Sequence, residues 1–70
     1  MNVALLKAKI VENGMTIEQF CCSIGMSTTS FWRKLSGKSE FDRTEMSSIA
    51  QGLHLTHAEM GRIFFPELVA

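Results

Sequence analysis

The chain has no apolar run of the roughly 20 residues that a membrane-spanning helix needs, a single proline at Pro66, and only two cysteines, Cys21 and Cys22, side by side. Adjacent cysteines within a helix cannot close a stapling disulfide, and no third cysteine is present to pair with either, so a reducing compartment fits. His54 and His57 lie far from the cysteines and lack ligand-type spacing, which argues against a zinc site. The opening Met1-Asn2-Val3 does not begin a signal peptide. A soluble, cytoplasmic protein is therefore expected. Also missing are a nucleophile–base–acid set, a carboxylate pair at useful spacing and a phosphate-cradling glycine loop. Those absences point away from an enzyme, and neither a cofactor nor a metal is expected.

Net charge is lacking too: seven basic residues meet seven acidic ones. The balance is uneven along the chain, however. No acidic residue stands between Glu18 and Glu40, and four of the basic residues, Arg33, Lys34, Lys38 and Arg43, fall within or just after that gap. Such local polarity lets one face approach phosphates while the whole stays neutral.

What the chain does have is helix punctuation. Its 70 residues and apolar fraction of 46% describe one small globular domain, and strand signals are weak. Asn2 is placed to cap a helix from about Val3 to Asn13, with Leu6 and Ile10 on one face and Gly14 as its stop. Thr16 with Gln19 three residues later forms a capping box for a second helix, Ile17 to Ile24, with Phe20, Cys21 and Ile24 inward. Gly25 stops it, because only glycine enters the left-handed region without a Cβ penalty. Ser27 caps a third helix, Thr28 to Ser36, with Phe31 and Leu35 facing the core and Gly37 behind it. Asp42 and Glu45 open a fourth, to about Gly52, on a stripe of Met46, Ile49, Ala50 and Leu53. Thr56 and Glu59 open the last, His57 to Phe65, with Met60, Ile63 and Phe64 inward and Pro66 at its end. An all-α, five-helix globule is the expected fold.

Residues 16–37 are the most informative stretch. Helix, short glycine-containing turn, helix is the shape of the DNA-binding helix-turn-helix, whose second helix enters the major groove. The spacing of Cys21, Gly25, Phe31 and Gly37, the run SFWRKLSGKSEF, the later Ile49, Ala50 and Leu53, and the ending IFFP together resemble the lambda-repressor/Cro-type (Xre-like) helix-turn-helix family, small phage-type members in particular. The likeness covers nearly the whole chain. It implies a small residue at Cys21 and a hydrophobic one at Phe31 where the two helices cross. Two positions depart from that pattern. Ile17 stands where a glutamine often touches phosphate, and Lys34 stands where a hydrophobic residue is usual, which suggests a slightly rotated third helix.

On that helix Ser27, Thr28 and Thr29 lie at the end that recognition helices turn to base edges; hydroxyls bond several bases, and the threonine methyl meets thymine. Capping and solvation are their plainer roles. Trp32 is costly to expose unless it packs on the fourth helix, lies on a sugar–phosphate face or anchors a protein partner. Arg33, Lys34, Lys38 and Arg43 read as phosphate clamps or as solvated surface. Cys21 reads as a small buried hydrophobe, and Cys22 as outward-facing.

Two functions compete. One is a sequence-specific regulator binding double-stranded DNA, expected as a homodimer on two half-sites, with Phe64, Phe65, Leu68 and Val69 as a candidate seam or as core. The other is a modulator or antirepressor on the same fold that binds a repressor protein instead. Zero net charge, Ile17 and Trp32 suit the second.

Overall fold

Each of the caps legible in the sequence is made. In the computed structural model, which describes residues 1–68, Asn2 accepts the Leu5 N–H and opens α1, Val3–Glu12. Thr16 and Gln19 close a reciprocal capping box on α2, Ile17–Ile24. Ser27 caps α3, Thr28–Leu35, by accepting the Ser30 N–H. Asp42 with Glu45 opens α4, Arg43–Leu53, and Thr56 with Glu59 opens α5, His57–Phe64. A short 3-10 helix, Pro66–Leu68, follows. No strand occurs among the described residues. The protein is all-helical, with a radius of gyration of 11.1 Å.

Helices of eight to eleven residues do not persist alone in water, so packing holds them. Each contributes two buried side chains to one core: Leu6 and Ile10, Phe20 and Cys21, Phe31 and Leu35, Ile49 and Leu53, Ile63 and Phe64. Ile24, Met46 and other half-buried apolar residues pack around it. Four phenylalanines run through the centre in successive edge-to-face contacts. Ring centroids lie 6.1 Å apart for Phe20–Phe31, 5.7 Å for Phe31–Phe41 and 6.0 Å for Phe41–Phe64. Such pairs add about 0.5–1.5 kcal/mol each beyond their burial. Phe41 belongs to the loop between α3 and α4, so this chain of rings ties the loop to the core as well as the helices.

The end of α4 falls where the stripe through Leu53 places it. Gly52 lies inside the helix, where a Cβ would stand 3.0 Å from a Phe20 ring carbon. Its missing side chain lets α4 approach α2. The helix continues to Leu53, because that residue is core, and His54 takes the left-handed cap (φ 54°). Of the candidate seam, Phe64 is core, while Phe65 and Leu68 are exposed; Val69 lies outside the described residues.

The two ends of the domain are joined. The Asn2 N–H donates to the Ile63 carbonyl at 2.6 Å, and Lys9 of α1 forms an ion pair with Glu59 of α5. Glu59 accepts from Lys9 and from the Thr56 backbone N–H, and these bonds hold its carboxyl down at about 2. The same carboxylate raises the Lys9 ammonium above its ordinary value.

Two outcomes follow from this arrangement. Gly25 holds φ 72° at the α2–α3 turn, so Gly25→Val should lower stability by more than about 1 kcal/mol, read as a shift in urea midpoint. Glu59 ionises lower in the folded chain than in the unfolded one, so its contribution is whole above about pH 4.5 and fades as pH falls toward about 2. Glu59→Gln, which preserves the capping box, should melt below the parent at pH 7. The gap in Tm should close on acidification to pH 2 and narrow in high salt; a gap independent of pH would refute the ion pair.

Candidate nucleic-acid interface

The α2–α3 corner is built by backbone chemistry at one glycine. Gly25 turns left-handed, its N–H and that of Met26 return to the Cys22 and Cys21 carbonyls, and Ser27 immediately starts the next helix. Phe20 meets the Phe31 ring across the corner. Cys21 is buried, as its spacing suggests: burial pushes the thiol up, and the Thr28 hydroxyl offsets part of that. A buried thiol held protonated is a packing group. Cys22 is exposed.

With Phe31 and Leu35 inward, Thr29, Trp32, Arg33 and Ser36 fall at i, i+3, i+4 and i+7 and are all exposed. They form one stripe down the outer face of α3. The helix has no acidic residue in its first turn and carries Arg33 and Lys34 in its last. Ser36 donates its hydroxyl to the Arg33 carbonyl at 2.9 Å, and the Lys38 N–H returns to the same carbonyl at 3.1 Å. The C-terminal end is thus closed internally while the Arg33 side chain stays free.

The eight candidate residues separate into groups. Ser27 is exposed, but its oxygen is committed to the cap. Thr28, expected beside Thr29 on the base-facing side, is half-buried, with its hydroxyl near the Cys21 thiol. Thr29, Trp32 and Arg33 stand on the open stripe. Lys38 and Arg43 are exposed, and among the described residues no ion pair involves Arg33, Lys38 or Arg43.

Lys34 differs from the other cations. Its ammonium is bound by both carboxylate oxygens of Glu45 and sits 5.7 Å from the Phe41 ring centre. Glu45 is the capping-box residue of α4, also accepting the Asp42 N–H at 3.0 Å. Lys34 therefore fastens α3 to the start of α4. Its stem covers apolar surface where the resemblance would place a hydrophobic side chain, and its head is already neutralised.

One residue near this face has no mark in the sequence. Lys7 of α1 places its ammonium 4.9 Å from the centre of the Trp32 ring. Trp32 remains 44% exposed, so it is held from one side by a cation rather than packed into the core. No local pattern links positions 7 and 32; only the folded chain brings the Lys7 ammonium over the Trp32 ring.

Among the described residues no group of His, Cys, Asp and Glu is placed to hold a metal, and no helix is long and apolar enough to cross a membrane. No protein-family model matches the chain, and no curated protein or solved structure shows significant similarity to it.

The Lys34 geometry makes a separable prediction. Lys34→Ala should cost stability, about 1 kcal/mol for a partly shielded pair. A double-mutant cycle with Glu45→Gln should show coupling between the two positions. Additive effects in urea denaturation would mean that the pair contributes nothing.

Proposed function

We propose that the chain is a sequence-specific regulator that binds double-stranded DNA in the manner of the lambda-repressor/Cro-type family, with α3 in the major groove. The observation that carries this reading is the open stripe on α3, set at a glycine-hinged corner after α2. A short helix presenting a hydroxyl, an aromatic and a guanidinium in one line, free of carboxylates, suits the base edges of a groove about 12 Å wide. Thr29 and Arg33 contact bases, and the unpaired cations Lys38 and Arg43 contact phosphate. Lys34 acts inside the protein.

One helix of this length reads only a few base pairs, so two copies on half-sites about 34 Å apart supply affinity and specificity. The exposed Phe65 and Leu68 offer apolar surface for the seam. The second reading, a modulator that binds a repressor protein, is favoured by the exposed Trp32 and by the absence of net charge. Its anchor would be that tryptophan.

Salt titration on selected and scrambled duplexes separates the two. Thr29→Ala should relax sequence preference, by about 1–3 kcal/mol of discrimination at one position, and leave the fold intact. Lys38→Ala should weaken binding to all sequences alike and make the salt slope shallower by about one unit. If the parent chain binds no duplex at low salt, the DNA reading fails and the protein-partner reading takes its place.

A further inference from the structure

The position of Trp32 goes beyond a general DNA-binding role. It stands in the middle of the α3 stripe, one turn after Thr29 and beside Arg33, nearly half of its surface open to solvent. Apart from its single N–H donor, an indole on a working face presents an apolar rim, which is satisfied by apolar surface. In the major groove one base edge supplies such surface, the C5-methyl group of thymine; the minor groove has none.

We propose, on the footing of the DNA-binding reading above, that Trp32 reads thymine methyl groups and that Lys7 is the positioning residue that orients its indole. A cation within about 6 Å of an indole centre is attracted to the ring face. At 4.9 Å, Lys7 covers one side of Trp32 and restricts the ring to orientations that keep that contact. The rest of the indole then faces outward as a fixed apolar edge. Three residues of helix advance about 4.5 Å along the axis, a little more than one base-pair step of about 3.4 Å. The thymine read by Trp32 therefore lies one to two steps from the base that Thr29 meets. The cation that holds the ring also lies beside the DNA-facing side, where its charge is compatible with nearby phosphates.

The test removes a single methyl group from the DNA. Duplexes recovered by selection on the parent protein are resynthesised with deoxyuridine in place of each thymine in turn, which leaves every hydrogen-bonding group intact. At one position per half-site the substitution should weaken the parent by about fourfold, the worth of one buried methyl. Trp32→Ala should bind the thymine and uracil duplexes equally; Trp32→Phe should retain part of the discrimination. Lys7→Gln should lower the thymine-to-uracil ratio, a readout that loss of a mere phosphate contact would not move. If the parent binds its selected duplexes but tolerates uracil everywhere, the thymine role of Trp32 is overturned while the DNA reading stands. If it binds no duplex, both fall. If Trp32→Ala does not fold, Trp32→Phe and Lys7→Gln still separate a methyl contact made by Trp32 from one made by Thr29, because only the former changes with them.

Discussion

Phe31 is the residue on which the rest of this structure depends. It meets Phe20 on one side and Phe41 on the other, and Phe41 reaches Phe64, so one line of rings joins α2, α3, the following loop and α5. A domain this small has few core side chains to share among five helices. Edge-to-face rings give each junction a preferred geometry as well as buried area. Because Phe31 lies on the inner side of α3, its fixed position also determines which side chains of that helix face outward. The open stripe of Thr29, Trp32, Arg33 and Ser36 is the complement of the Phe31 and Leu35 contacts. The candidate site and the core are two faces of one packing decision.

The helix starts connect the elements in a second way. In two of the three capping boxes the acidic partner also docks a cation, since Glu45 binds Lys34 of α3 and Glu59 binds Lys9 of α1. Each carboxylate satisfies a backbone N–H at the start of its own helix and fastens a lysine from an earlier one. The third box uses the neutral Gln19 and closes only on itself. A carboxylate near a helix N-terminus is already favoured by the helix dipole, so its placement does not depend on the lysine alone. The consequence for function is subtraction. Lys34 belongs to the basic cluster in sequence, but Glu45 neutralises its charge, which leaves Arg33, Lys38 and Arg43 as the unpaired cations of that region among the described residues.

Much of this architecture was legible because helix starts and stops are local. Asn2, Thr16, Ser27, Asp42 and Thr56 cap within three residues of their own position, and Leu6, Ile10, Phe31, Leu35, Ile49 and Ile63 repeat at helical spacing. Where reading failed, the cause was distant. Gly52 carries no local mark of its role, which is to admit the Phe20 ring from α2. His54 takes a left-handed conformation that its side chain does not advertise, because Leu53 must remain in the helix to reach the core. Phe41 sits in a loop with no periodic neighbours, so nothing nearby marked it as part of the aromatic line.

The sequence by itself determined the class of fold, the five helices, the corner at Gly25 and the concentration of hydroxyl and basic residues on and just after α3. Caps, glycine stops and apolar periodicity act over a few residues, and one turn of helix suffices to express them. Only the tertiary structure decided which of those polar residues remain available. Thr28 was left half-buried, Lys34 turned to Glu45, and Trp32 was left exposed under Lys7. Those outcomes depend on which helices lie side by side. That adjacency follows from burying a shared core across elements far apart in the chain, which no local spacing encodes.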